Sequence, residues 1–258
     1  MIRTLGLLRS LAIYWRPGRQ HGLRRMYAPF VSSGDLVFDV GAHMGDRTRA
    51  FSDLGCRVVA VEPQPHLVPW LKRLAGGRSQ VSIRCEAVGR APGRASMAVS
   101  RKNPTVSTLS GSWRERVTTA MTGFEGVAWD TEEEVEVTTL DRLIRRYGVP
   151  RFCKIDVEGW EAEVLAGLSV PIRGVSVEFV SGALDVAREC VGLLEALGPY
   201  EFNAVAGEGR SWHHEGWLRP AGILDWLEAG ADDLPTGDLY ARLTAAPGGG
   251  PTTGGGME

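Results

Sequence analysis

At 258 residues and 43% hydrophobic side chains, the chain can bury one large core and has an ordinary globular composition. Its 29 lysines and arginines nearly balance 31 aspartates and glutamates, a formal net charge of −2, so there is no electrostatic case for nucleic acid as the main partner. Four cysteines (Cys56, Cys85, Cys153 and Cys190) stand far apart with no C-x-x-C pair, which argues against zinc and for buried, reduced thiols in a cytoplasmic protein.

Residues 1–30 read as an N-terminal helical segment. Leu5, Leu7, Leu8, Leu11, Ala12, Tyr14 and Trp15 are apolar, but Arg9 interrupts them and no small-residue cleavage site follows. A membrane span needs about 20 apolar residues, so neither a span nor a signal peptide is expected. The arginines at 3, 9, 16, 19, 24 and 25 leave a peripheral membrane contact as the alternative.

From 31 to 246 the pattern is that of one α/β domain. Leu36–Val40 predicts a strand, which ends in a turn bracketed by Gly41 and Gly45, and a helix follows from Asp46 to Leu54. Such a strand–turn–helix opens an open α/β sheet whose ligand lies outside the carboxyl ends of the strands. The spacing is D-x-G-x-x-x-G, with His43 where the dinucleotide fingerprint has its middle glycine. A pyrophosphate loses its close backbone approach there, whereas a nucleoside without phosphates does not need it. Arg57–Val61 predicts the next strand and stops at Glu62-Pro63, because proline has no N–H for the ladder. An acid about 20 residues beyond the first strand is placed to accept hydrogen bonds from ribose hydroxyls.

Farther on, Pro65–Leu74 reads as helix and Val81–Cys85 as strand, ending at Glu86-Ala87, where an exocyclic amine and a flat ring would fit. Ala95–Val99 is a short strand. Residues 100–134 are the least regular part, with Asn103-Pro104, Trp113, Phe124 and Trp129; an insert of this length is expected to contact substrate. Glu132–Glu134 reads as solvated surface. Val135–Val137 is a strand, Thr139–Tyr147 a helix, Phe152–Gly159 a strand ending in charge, and Trp160–Leu168 a helix. Strands at 175–180, 200–206 and 239–243 alternate with helices at 186–197 and 221–229, and the Gly-rich stretch 247–258 reads as a disordered tail.

Lys154, Asp156 and Glu158 share one side of their strand by alternation, and Glu178 sits inside a neighbouring apolar strand. Charges at a central strand's carboxyl end face the ligand cleft. The structural alternative is an internal ion pair of Lys154 with Asp156 or Glu178, with Glu158 capping the next helix. Functionally, the carboxylates can take a proton from a hydroxyl or, as a pair, hold a divalent cation through oxygen ligands, so a metal is an open option without a dedicated ligand set. His213-His214 is a second candidate base.

With these blocks laid out, Asp39–Gly45, Val61-Glu62-Pro63, Thr139-Leu140-Asp141 and Lys154–Glu161, the chain resembles the FkbM-type family of S-adenosylmethionine-dependent methyltransferases. The resemblance spans roughly residues 35–180 and implies a Rossmann-like class I fold. That fold is a mostly parallel, doubly wound sheet with helices on both faces and an antiparallel strand near the C-terminal end. It implies methyl transfer to a hydroxyl of a small molecule, sugar or lipid-linked glycan. By analogy Asp39, Gly41, Ala42, His43 and Gly45 line the methionine end of S-adenosylmethionine, Glu62-Pro63 its ribose and Glu86-Ala87 its adenine. The family commonly has asparagine at the place of His43. The competing readings are a nicotinamide-dependent oxidoreductase and a catalytically silent nucleoside-binding module of the same fold.

Overall fold

A computed structural model of the chain describes residues 15–16, 18–100, 106–120 and 127–244. The expectations for the leucine-rich N-terminus, for Asn103-Pro104 and Phe124, and for the glycine-rich tail lie outside these residues. The first half of the chain forms α1 (Arg19–Tyr27), β1 (Leu36–Val40), α2 (Asp46–Asp53), β2 (Arg57–Val61), α3 (Val68–Leu74), β3 (Val81–Arg84), β4 (Ala87–Val88), β5 (Gly93–Val99) and α4 (Gly111–Ala120). The second half forms β6 (Thr131–Thr138), α5 (Leu140–Tyr147), β7 (Phe152–Ile155), α6 (Glu161–Leu165), β8 (Gly174–Val180), α7 (Leu184–Leu197), β9 (Tyr200–Ala206), α8 (Pro220–Glu228) and β10 (Thr236–Leu243).

The strands of the main sheet run in the order β3-β2-β1-β7-β8-β10-β9. β1, β2, β3, β7 and β8 pair in parallel, while β10 is antiparallel to both of its neighbours. The central strands are covered on both faces, which is why they read as near-continuous apolar runs. Alternation splits each between two cores. Phe38, Val40, Cys153, Ile155, Val175 and Val177 join α7 through Ala187, Cys190 and Val191 on one side. Val37, Phe152 and Tyr240 meet Leu23 and Tyr27 of α1 and Phe51 of α2 on the other. Each such side chain contributes about 1.5–3 kcal/mol when fully buried. The order turns back between β1 and β7, a switch point that opens a crevice at the carboxyl edge.

A second sheet, β4-β6-β5, stands apart from the first and alters the sequence reading of the insert. Residues 100–134 are not wholly irregular, because they contain α4 and the first part of β6. The glutamate run is the start of that strand: Glu132 and Glu134 are exposed, as expected of a charge run, while Val135 two strand positions from Glu133 is buried. α3 begins at Val68 with Pro69 in its first turn, three residues later than expected. α6 ends at Leu165, since Gly167 must pass the carbonyl of Gly89 more closely than a side chain allows. Cys56, Cys153 and Cys190 are buried free thiols, but Cys85 is exposed. Among the described residues no helix is long and apolar enough to cross a membrane.

Candidate active site

The carboxyl edge of the main sheet carries a cleft of about 280 Å³. Read along the strand order, its walls are Glu86-Ala87-Val88 after β3, Glu62-Pro63-Gln64 after β2, Gly41-Ala42-His43 after β1 and Asp156-Val157-Glu158 after β7. Glu178 of β8, Asp238 of β10 and Glu208 after β9 close the far end.

Gly41 has φ 77°, and a Cβ there would collide with the carbonyl oxygen of Asp156. Only glycine lets the exits of β1 and β7 lie against each other. His43 takes a left-handed conformation at φ 47°, which asparagine also tolerates well, so the turn survives the exchange. Two of the residues expected at the methionine end lie off the cleft. Gly45 (φ 80°) is required by packing: a Cβ would stand 2.5 Å from Leu71 and 2.8 Å from Ala75. Asp39 points with Val37 toward α2, where it accepts a 2.5 Å hydrogen bond from Thr48 Oγ1, and it is fully buried. Neither residue is among those lining the cleft.

Glu62 is turned onto the glycine loop. Its Oε2 accepts from the His43 N–H at 2.8 Å and its Oε1 from the Gln64 N–H at 2.9 Å. The Gln64 side chain donates to the same carboxylate, which still has acceptor capacity for a further donor. Burial pushes its pKa up to about 7, against the pull of those two backbone bonds. Glu86 is held by Arg84 Nε at 2.8 Å, and Ala87 beside it is buried.

At the opposite end, Lys154 is 2% exposed and its Nζ lies 2.5 Å from Asp156 Oδ2. The internal ion pair and the cleft-facing reading are therefore both realised, since both residues line the cleft. Asp156, Glu158 and Glu178 each bring an oxygen within 4.8 Å of the others. Burial, and then the charge of Asp156, drive the Glu158 and Glu178 carboxyls well above the usual range. Burial opposes ionisation of Asp156 as well, but Lys154 and Arg47 outweigh it and hold its pKa low. Glu158 does not cap the next helix. The helix has no side-chain cap, and the Glu161 carboxylate accepts instead from the N–H groups of the preceding turn, Val157 (3.0 Å) and Gly159 (3.3 Å). Glu158 itself sits at φ 55°, and its carbonyl accepts from Thr108 Oγ1 at 2.6 Å. The insert thus reaches the cleft: Ser107 and Leu109 line it, and Trp113 packs under Gly159.

Sequence reasoning missed Asp46, Arg47, Glu208 and Asp238, all of which line the cleft. Arg19 Nε meets Asp46 Oδ2 at 2.8 Å and its Nη2 meets Glu208 Oε2 at 3.0 Å. Arg47 adds Nη1 to Asp46 Oδ2 at 3.2 Å and Nη2 to Glu208 Oε2 at 3.3 Å. Asp238 was detectable in principle, as an acid directly before the strand expected at 239–243. Glu208, in a turn, carries no such signal. The His213-His214 pair is not in the cleft: His213 Nε2 lies 2.7 Å from Asp232 Oδ2, beside Trp226 of α8.

Comparison with solved structures finds methyltransferases among the similar chains. A TehB-like SAM-dependent methyltransferase from Corynebacterium glutamicum is 12% identical, with 92% of this chain and 94% of that one covered and a TM-score of 0.45. A precorrin-6y C5,15-methyltransferase from Geobacter metallireducens is 14% identical over 88% of this chain and 86% of that one, with a TM-score of 0.43. No curated protein matches the sequence. The model of the methyltransferase FkbM domain matches residues 39–189, more than half of the chain, and takes in the glycine loop, Glu62, Glu86, the acids that follow β7 and Glu178 of β8. The chain belongs to the FkbM methyltransferase family and is an S-adenosylmethionine-dependent methyltransferase.

Proposed function

We propose that the chain methylates a hydroxyl oxygen of a small-molecule, sugar or lipid-linked glycan acceptor. S-Adenosylmethionine is placed with its ribose on Glu62 and its adenine against Glu86-Ala87. The residues present suit that group. Glu62 keeps acceptor capacity on its carboxylate, Gly41 lines the cleft beside it, and His43 removes the cradle that a pyrophosphate needs. The nicotinamide-dependent alternative falls with the family assignment.

When bound, the cofactor supplies a methyl group on a sulfonium that leaves without help from an acid. This chain's residues must then align an oxygen and remove one proton. Alignment can lower the barrier by about 7–11 kcal/mol at most. Asp156, ionised and fixed by Lys154, is placed to accept the hydroxyl hydrogen and then its proton, a contribution of about 10²–10⁴ in rate. Glu158 and Glu178 border the same space. The observation that carries the proposal is this pairing in one cleft: an acid turned onto the glycine loop, and a fixed carboxylate beyond it.

A divalent cation is a second reading of Asp156, Glu158 and Glu178, favoured by their mutual spacing within 4.8 Å. It would orient the hydroxyl and lower its pKa. Activity that persists in excess chelator removes the cation and leaves the rest intact. The test of the main proposal is incubation with a labelled methyl donor and a producer-cell extract, followed by identification of the labelled product. An O-methylated hydroxyl is expected. Label confined to nitrogen or carbon, or no saturable heat with S-adenosylhomocysteine in calorimetry, would overturn it.

A further inference from the structure

Arg47 has a function that the ion pairs around it do not use up. Its side chain lines the cleft and the residue is only 8% exposed. Nη1 and Nη2 are engaged by Asp46 and Glu208, yet the Nε–H is buried without a hydrogen-bond partner. A guanidinium offers five donors in a fixed fork suited to a carboxylate, and a buried donor left unmet is costly. Arg47 is also the second residue of α2, an eight-residue helix whose N-terminus has no side-chain cap, so the helix dipole adds to the attraction for an anion there.

We infer that Arg47 binds the methionyl carboxylate of S-adenosylmethionine, which rests on the cofactor placement proposed above. The loop between Glu62 and Arg47 fixes the direction. His43 gives its N–H to Glu62 on one side, and α2 begins three residues later on the other. A nucleoside seated on Glu62 therefore sends its 5′ substituent along the loop toward Arg47. Asp238 and Glu208 line the same end and suit the neighbouring α-ammonium. Asp39 and Gly45, expected at the methionine end, do not line the cleft, whereas Arg47 does.

Calorimetry with two ligands tests this without turnover. S-Adenosylhomocysteine carries the amino-acid end, and 5′-methylthioadenosine has the same nucleoside and thioether without it. The wild-type protein should prefer the first. In Arg47→Met that preference should shrink by about ten- to hundredfold, as expected for a charge-assisted hydrogen bond, while the affinity for methylthioadenosine is kept. If Arg47→Met loses both ligands, the buried ion network has been damaged. Arg47→Lys, which keeps a positive charge beside Asp46 and Glu208 but not the fork, is then decisive: a reduced preference supports the inference and an unchanged one overturns it. Equal affinity for the two ligands in the wild type, or an unchanged preference in Arg47→Met, also overturns it. Failure of the wild type to bind either ligand would instead refute the cofactor placement.

Discussion

The two ends of the cleft are built by opposite means. The end at Glu62 and Glu86-Ala87 comes from short, nearly contiguous stretches, and Glu62 is held by backbone N–H groups of its own neighbourhood. The end at Asp156, Glu178, Glu208 and Asp238 is gathered from the exit of β7, β8, β10 and the turn after β9; Lys154 holds Asp156, and Arg19 and Arg47 reach over to Glu208. On the placement proposed above, the first end is a conformation that holds the nucleoside, and the second is an electrostatic arrangement that serves the cofactor's amino-acid end and the reacting oxygen. Substitutions should separate the two.

The largest effect is expected at the reacting end. Asp156→Asn keeps the shape and a hydrogen-bond acceptor for Lys154 but removes the charge that takes the proton. Turnover should fall by about 10²–10⁴, while calorimetric affinity for S-adenosylhomocysteine stays within about twofold. Loss of binding together with turnover would show that the two ends are one unit, and full turnover would remove Asp156 from the chemistry. Gly41→Ala strikes where the ends touch. The new methyl group must push against the Asp156 carbonyl from a left-handed backbone, a strain of roughly 1–3 kcal/mol before the collision is counted. Affinity should drop by about tenfold or more and the melting temperature should fall. Unchanged binding would show that the β1 and β7 exits separate freely.

Legibility followed the same division. The strand–turn–helix at 36–54 and the acid at 62 are set by residues adjacent in sequence, so spacing alone places them, and the structure has both on the cleft. Which glycine faces the ligand was not readable, because Gly45 answers to Leu71 and Ala75, and that contact depends on how α3 packs. The side on which Asp39 lies was unreadable for a related reason: its register on β1 directs it into the sheet's α2 face, and motif analogy ignores register. Alternation found Glu178 as a polar break in an apolar strand. Arg19, Arg47 and Glu208 lie on surfaces that look solvated until α1 and the turn after β9 close over them.

The pH dependence of binding is a milder test of the contrast. Glu62 has a folded pKa near 7, raised chiefly by burial. Below that value it takes up a proton and no longer offers two anionic acceptor sites to a ribose. Affinity for S-adenosylhomocysteine should be flat above about pH 8 and fall by up to tenfold per unit below 7, and Glu62→Gln should bind weakly and without this slope. Stability runs the other way. A carboxyl whose pKa rises on folding holds its proton more tightly in the folded state. Its contribution is therefore present in full below the unfolded value and declines as pH rises through 7. Opposite slopes for binding and stability would isolate Glu62. Parallel slopes would point to a different titrating group.

The smallest effect on function is expected at the histidine pair, and it marks where the reacting end stops. His213 Nε2 and Trp226 Nε1 both lie on Asp232 Oδ2, at 2.7 and 2.8 Å. Asp232 is the middle of three successive non-glycine residues with positive φ, Ala231 at 52°, Asp232 at 52° and Asp233 at 56°. Such a run persists only when its surroundings over-determine it. The imidazole is thus a fastening for the bend between α8 and β10, and β10 carries Asp238 into the cleft at its third residue. His213→Ala should raise amide exchange at 231–233 and lower the melting temperature, while turnover and binding stay within about twofold. A fall in turnover or in binding would mean that this bend sets the position of Asp238. The reacting end would then extend along β10 to a residue that never meets the acceptor.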